Sequence, residues 1–212
     1  MFCKMAHGLQ STASAGITSV TIGDKTYSVV RIGTQYWMAN NLDYAWPGLT
    51  FNPGLSYSDA AAYYYQGDSR PRTIAGFSEG MLYNAKAVEA LSQLNTLPSG
   101  WRVPTVSDCS TLLTYAGNYI PNYRPYNTLT LGAGWVGSYS NGTNDTGFNW
   151  VHNGNRRYSY GWGWEDGSNQ GYIGQMGDNG ARAMCFFSNN IPQIYNNDEL
   201  SDFCVIRLVH DT

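Results

Sequence analysis

Side chains that could act as nucleophiles, bases or metal ligands are few and widely spaced in this sequence. The three histidines are His7, His152 and His210, and no HExxH, CxxC, GxSxG, P-loop or dinucleotide-binding pattern is present. Cys185 lies in an apolar run, which is typical of a buried strand cysteine rather than of a nucleophile. We therefore predict that the protein is not an enzyme and that it has no catalytic residue and no cofactor.

Calcium binding is the one metal chemistry that the loops could support. Asn144-Asp145 and residues 196–199, NNDE, offer amide and carboxylate oxygens of the kind that calcium prefers. Loop clusters of Asn and Asp are more often turn formers. We expect no metal site and keep calcium as the minor alternative.

Residues 149–172, here called the aromatic segment, are the densest group of recognition-type side chains. They read NWVHNGNRRYSYGWGWEDGSNQGY, with aromatic residues and arginines set among Gly, Ser and Asn. This composition is typical of antibody-like binding loops, and Trp, Tyr and Arg are the usual interface hot spots. The alternative is that Trp150, Trp162 and Trp164 are core residues of a loop-rich fold. We predict that the ligand-binding residues are Arg156, Tyr158, Tyr160, Trp162, Trp164 and Tyr172.

Composition limits the class of partner. Charged residues make up 13% of the chain and the net charge is −3, so nucleic-acid binding, which needs a cationic surface, is not expected. No apolar run is long enough to span a membrane.

The length suits one domain, placed at residues 17–212, after a polar arm at residues 1–16 that lacks the apolar core of a signal peptide. We expect a neighbouring subunit or the domain to hold the arm, within a homo-oligomer or larger assembly.

The elements that must position the aromatic segment follow from hydrophobic periodicity. Residues 20–22 and 27–32 around a Gly-Asp-Lys turn predict a hairpin, and residues 36–42 predict a third extended piece with Trp37 and Met38 in the core. Residues 46–76 are interpreted as a long loop that carries one short helix from Ser58. Residues 84–94 have the apolar spacing of a helix.

Residues 97–117 are interpreted as the organising part of the core. Prolines and a glycine delimit a short extended piece that carries Trp101, which we expect at the centre of the core. Thr105 then begins a helix, and Asp108 can reach back to its amide as in a capping box. The predicted apolar face comprises Leu112, Leu113 and Tyr115, and the predicted end is Gly117. Two helices on a small antiparallel sheet, followed by long irregular C-terminal loops, define an α+β fold.

Four motifs, in the same order, resemble those of the Fibrobacter succinogenes major paralogous domain. Residues 30–42, VRIGTQYWMANNL, are similar to its V-x-IG-x-Q-x-WMA-x-NL opening, and residues 80–84, GMLYN, to its G-x-LY element. Residues 100–105, GWRVPT, resemble its GW(H/R)LP(S/T) signature, and residues 203–211, FCVIRLVHD, its closing strand. The resemblance covers roughly residues 20–211 and implies a C-type-lectin-like fold.

The function implied by this resemblance is recognition. In C-type-lectin-like proteins the long loops of the C-terminal half present the ligand site, and the fold also carries receptor-binding proteins of phages and of retroelement-diversified systems. Its formylglycine-generating relatives use a reactive cysteine pair that has no match here. We expect binding of a host or cell-surface glycan or protein receptor, at the surface of a phage virion. The alternatives are a secreted bacterial surface or adhesion protein, and a structural decoration protein of a virion or fibre.

The cysteines give the first testable prediction. An even set of four, Cys3, Cys109, Cys185 and Cys204, allows two disulfides. The resembled family usually has a bridge whose two positions here hold Leu97 and Leu208, which favours free thiols and assembly in a reducing compartment. Thiol labelling of the denatured, unreduced protein should therefore count four thiols. A count of two or fewer would instead indicate an oxidising compartment.

Overall fold

The computed structural model combines two helices with mainly antiparallel sheets, which confirms the α+β class. It describes residues 16–51, 59–64, 69–71, 73–74, 77–118, 144, 146–150, 155–157, 163–165, 170–187, 193–194 and 203–212. The helices are α1 (Ala85–Ser92) and α2 (Val106–Asn118). The strands are β1 (Ser19–Ile22), β2 (Lys25–Ile32), β3 (Gln35–Met38), β4 (Thr50–Phe51), β5 (Ala61–Tyr63), β6 (Thr73–Ile74), β7 (Phe77–Ser78), β8 (Leu82–Tyr83), β9 (Asn155–Arg157), β10 (Gly163–Glu165), β11 (Gln170–Gly177), β12 (Gly180–Phe187), β13 (Gln193–Ile194) and β14 (Val209–Asp211).

The first sheet is antiparallel and has the order β1-β2-β3-β14. β1 and β2 form the predicted hairpin, with Ile22 opposite Lys25 and Gly23 at a φ of 62° in the first position of the turn. Glycine adopts this left-handed conformation without a steric penalty. Trp37 and Met38 of β3 are fully buried, as predicted. The sheet therefore pairs the first strands of the described chain with its last one.

Residues 203–211, the closing segment, connect this sheet to two others. Cys204 bridges Tyr83 of β8, and Val205 bridges Ile173 of β11. These bridges join the β4-β5-β8 sheet to the β11-β12-β13 sheet, while β14 at the other end of the segment pairs with β3. Residues 203–209 are almost completely buried. The core is thus built around the closing segment.

Both helices begin at side-chain caps, of which the second is the one that the sequence predicts. The Asn84 Oδ1 atom accepts a hydrogen bond from the Ala87 amide at 2.9 Å at the start of α1. At the start of α2 the Thr105 amide donates to Asp108 Oδ2 at 2.8 Å, and the Asp108 amide donates to Thr105 Oγ1 at 3.2 Å. The predicted capping box is confirmed, with Asp in place of the usual Glu.

Several local predictions are wrong. The short helix from Ser58 is contradicted, because residues 61–63 form β5, a buried strand between β4 and β8. On α2, Tyr115 is 37% exposed, and the helix continues through Gly117 to Asn118. The side chains buried on α2 include Cys109, Leu112 and Ala116, at a spacing of three and four, and the predicted Leu113 is partly buried against the same cluster.

Trp101 is buried, as predicted, but it lies at the margin of the core. It keeps 8% of its surface exposed, and its ring is tilted against His210 with centroids 5.6 Å apart. Trp37 has no exposed surface and packs edge-on against Phe148. Trp37 and Leu112 belong to one buried cluster, so Trp37 is the more central tryptophan.

The Asp108 carboxylate joins four parts of the fold. Its Oδ1 atom accepts from Gln35 Nε2 at 2.7 Å and from Arg102 Nη2 at 2.7 Å. Its Oδ2 atom accepts from the Thr105 amide and hydroxyl, each at 2.8 Å. Arg102 also pairs with Asp211 of β14 at 3.1 Å. β3, the Trp101 segment, α2 and β14 therefore meet at one buried charge.

We predict that Asp108→Asn lowers the free energy of unfolding by about 2–4 kcal/mol. The change removes the charge from hydrogen bonds worth about 1.5–3 kcal/mol and turns an amide NH2 group toward existing donors. Asp211→Asn is the matched control, because Asp211 contacts the same Arg102 but is 71% exposed, and it should cost less than about 1 kcal/mol. Denaturant unfolding of both variants measures the difference. Equal losses would contradict the role given to Asp108.

Candidate binding surface

Arg156 and Trp164, two of the predicted ligand-binding residues, lie opposite each other in a two-stranded antiparallel ribbon. β9 and β10 place Arg156 opposite Trp164 and Arg157 opposite Gly163. Directly opposed positions of an antiparallel pair lie on the same face, and consecutive positions lie on opposite faces. Positions 156 and 164 therefore share one face of this β9–β10 ribbon, and position 157 belongs to the other face.

The remaining predicted ligand-binding residues are placed differently. Tyr172 lies in β11 opposite Cys185 of β12, in a sheet separate from the ribbon. Tyr158, Tyr160 and Trp162 lie outside the described residues. The structure brings Arg156 and Trp164 together, and the grouping of the whole set stays a prediction.

The aromatic segment is attached to the core at both ends. Trp150, near its start, is fully buried, as is Phe148 just before it. Ile173, which follows the last residue of the segment, is also fully buried and bridges Val205 of the closing segment. The core interpretation is therefore confirmed for Trp150. The ribbon with Arg156 and Trp164 lies between these two buried attachments.

Arg207 of the closing segment contacts the chain where the aromatic segment starts. Its guanidinium carbon lies 4.4 Å from the centre of the Phe148 ring and 5.1 Å from the centre of the Trp150 ring. It donates to the carbonyl oxygens of Phe148 and Asn149. Burial lowers the pKa of Arg207 to about 9, so the guanidinium still carries its charge at neutral pH.

A second polar group, here called the Asp43 cluster, consists of Asp43, Lys25, Tyr27 and Tyr64, and the sequence does not reveal it. Lys25 Nζ lies 2.5 Å from Asp43 Oδ2, and the Tyr64 hydroxyl donates to Asp43 Oδ1 at 2.8 Å. The Tyr27 hydroxyl lies 3.1 Å from both the amide and the carbonyl of Asp43. Tyr64 lies within residues 46–76, which the sequence predicts to be a long loop. No local spacing signals these contacts, which connect residues about twenty positions apart.

The phenols around Asp43 are held in their neutral form. Burial, with Asp43 beside it, raises the pKa of Tyr27 from 10.0 to about 12. Burial likewise raises the pKa values of Tyr64 and Tyr83. At neutral pH the Tyr27 hydroxyl donates to the Asp43 carbonyl and the Tyr83 hydroxyl donates to the Tyr44 carbonyl at 3.0 Å, which fixes the backbone after β3. The Tyr64 hydroxyl donates to the Asp43 carboxylate.

Two of the four cysteines and one of the candidate calcium ligands have structural surroundings in the described part of the chain. Cys109 and Cys204 are buried and form no disulfide, and burial beside Asp108 raises the pKa of the Cys109 thiol, which disfavours the thiolate. Asn144, a candidate calcium ligand, accepts from the Asn149 amide and donates to its side chain. Asp145 and residues 196–199 lie outside the described residues. In the described part of the chain no three His, Cys, Asp or Glu side chains are grouped to hold a metal ion.

The architecture defines the class of protein: an α+β domain with two helices and an aromatic-rich segment attached to the core at both ends. A family model described as the Fibrobacter succinogenes major domain matches residues 30–204. The match covers most of the chain, and the chain therefore belongs to this family. No curated protein and no solved structure matches it. No helix among the described residues is long and apolar enough to cross a membrane.

Leu97 and Leu208, which stand where the family's bridge was expected, belong to the same hydrophobic cluster. Leu208 is fully buried, and Leu97 is partly buried against the cluster. Apolar packing therefore connects these two positions.

We predict a loss of stability at alkaline pH that depends on Tyr27. The raised pKa means that neutral Tyr27 contributes stability that is complete below pH 10.0 and is lost as the pH rises through about 12. Tyr27→Phe should therefore show a smaller fall in the free energy of unfolding between pH 9 and pH 12. Tyr115→Phe, at an exposed tyrosine of α2, controls for the loss of one phenol. Identical pH profiles for the two variants would show that Tyr27 does not cause the loss.

Proposed function

We propose that the protein is a non-enzymatic recognition module that binds a host or cell-surface glycan or protein receptor through the aromatic segment. The observation that carries this proposal is the attachment of the segment at Trp150 and Ile173, both fully buried. Binding residues commonly lie on loops that a rigid scaffold positions. Fixed ends reduce the conformational entropy that such a loop loses when it binds a partner.

The ribbon supplies side chains suited to either class of receptor. The Arg156 guanidinium offers planar, directional donors to sugar hydroxyls or to carboxylates. Trp164 offers a large apolar ring that can stack on a sugar face or fill a pocket of a protein. Because positions 156 and 164 share one face of the ribbon, we propose this face as the centre of ligand contact.

We propose that the domain is C-type-lectin-like and acts on the surface of a phage virion. The location of the aromatic segment in the C-terminal half supports this assignment, since the long loops of that half present ligands in such folds. Its Asn, Tyr, Ser and Asp residues are also compatible with a retroelement-diversified region, in which these residue types are enriched. A secreted bacterial surface or adhesion protein is the nearest alternative setting.

A structural decoration protein of a virion or fibre is the second candidate function, because the same aromatic residues could face a neighbouring subunit. The oligomeric state in solution distinguishes the two. A stable monomer that binds cells favours receptor recognition, whereas an assembly that protects the ribbon from solvent favours decoration.

We expect Trp164→Ala and Arg156→Ala to weaken binding to susceptible cells by about 2 kcal/mol or more each, because truncation of central interface residues has costs of this size. Arg157→Ala is the matched control. It removes the same charge from the neighbouring position on the other face of the ribbon, and it should leave binding nearly unchanged. Cell-binding titrations and a glycan array with wild type and the three variants measure these effects.

Thermal unfolding of the same variants separates binding from core packing. If Trp164 were a core residue, Trp164→Ala would lower the unfolding temperature by several degrees. Strong destabilisation with unchanged binding per folded molecule would rule out the ribbon as the binding site. Equal effects of Arg156→Ala and Arg157→Ala would contradict the assignment of one face.

A further inference from the structure

We propose that Arg207 is the positioning residue of the aromatic segment, and that its guanidinium fixes the backbone from which the segment departs. This inference deepens the proposed function and rests on it where ligand binding is concerned. It assigns to the closing segment a role beyond its contacts with the sheets.

Arg207 is almost completely buried, and the described residues place no carboxylate against it. Its donors instead reach three neutral oxygens: Asn41 Oδ1 at 2.7 Å, Asn149 O at 3.1 Å, and the carbonyl of Phe148. A buried charge without hydrogen-bond acceptors is strongly destabilising. The backbone at Phe148 and Asn149 therefore cannot move away without leaving the guanidinium unsatisfied.

The loop that Arg207 contacts has a demanding backbone conformation. Asn144 and Asn149 have φ values of 53° and 55°, in the left-handed region that residues other than glycine seldom occupy. Two reciprocal hydrogen bonds, each of 2.8 Å, join the two asparagines. Such strained positions persist only when the surrounding contacts determine them. Arg207 supplies such contacts from the core, at the carbonyl of Asn149 itself.

The loop directly precedes the ribbon in the sequence. Trp150 follows Asn149 and lies against the guanidinium, and β9 begins shortly afterwards at Asn155. β9 in turn pairs with β10, which carries Trp164 opposite Arg156. Four residues, 151–154, separate Trp150 from β9 in the sequence, so the backbone that Arg207 contacts lies close in sequence to the proposed binding face.

Hydrogen exchange of the amides of β9 and β10, relative to those of α1, tests the inference. Arg207→Met keeps an apolar stem but no donors, and it should speed exchange in the ribbon at least tenfold while exchange in α1 changes less. Arg207→Lys keeps the charge but cannot reach three separated acceptors with one ammonium group, so it should not rescue the ribbon. Cell binding by the folded Arg207→Met and Arg207→Lys variants should likewise fall below that of wild type.

A variant pair at Asn41 keeps the test decisive if Arg207→Met does not fold. Asn41→Ala and Asn41→Asp both lose the amide that donates to the Glu79 carbonyl, but Asn41→Asp keeps an acceptor for Arg207 Nε. Asn41→Ala should speed exchange in the ribbon, and Asn41→Asp should stay close to wild type. The inference is overturned if a folded Arg207→Met leaves the ribbon unchanged relative to α1, or otherwise if the two Asn41 variants behave alike.

The two levels of the proposal fail in different ways. If wild type binds neither cells nor glycans, the proposed function is wrong, and hydrogen exchange still decides whether Arg207 positions the segment. If Trp164→Ala abolishes cell binding while exchange and binding survive Arg207→Met, the function stands and the role of Arg207 is wrong.

Discussion

The arrangement of the other elements depends on the hydrogen bonds that the Asp108 carboxylate accepts. Its two oxygens accept hydrogen bonds from β3, from the Trp101 segment and from the first residues of α2. Gln35, which donates to Asp108, also accepts from the Trp37 indole at 3.1 Å. A change in the position of α2 would therefore disturb a fully buried tryptophan of the core. One buried acid thus coordinates a helix, a sheet and the tryptophan between them.

The buried charges of Asp108 and Arg207 are accommodated in different ways, with different structural consequences. Asp108 contacts a cation, Arg102, which remains partly exposed. Arg207 contacts neutral oxygens and two aromatic rings, a combination that tolerates a charge because the ring faces are electron-rich. The first arrangement fixes the packing of regular elements. The second fixes an irregular loop.

The sequence predicted contacts that are local and failed for those that depend on distant partners. The capping box of Thr105 and Asp108 spans three residues, and α1 follows the apolar period of its own sequence. β5 was missed because residues 61–63 have no period, and their strand conformation comes from pairing with β4 and β8. Gln35 was missed as a partner of Asp108 because seventy-three positions separate them.

The same distinction applies to the candidate binding surface. Composition alone located the aromatic segment, since clustered aromatic residues among small polar ones are visible without a structure. The pairing of Arg156 with Trp164 depends on a strand register that the sequence between the two strands does not specify. The contact of Arg207 with the loop was invisible, because its acceptors at Phe148 and Asn149 are backbone carbonyls that every residue type possesses.

The closing segment also has a consequence for the order in which the chain can fold during synthesis. Its residues pair with Trp37 and bridge Tyr83, partners that are translated long before the closing segment. The hairpin of β1 and β2 and the helices α1 and α2 can form from nearby residues. The sheet of β1, β2, β3 and β14 is complete only after residues 203–211 have left the ribosome. The nascent chain must keep much of its core exposed until then, and contacts of such long sequence separation slow the final step. Chaperones that shield apolar surface would have their longest period of action on this part of the protein.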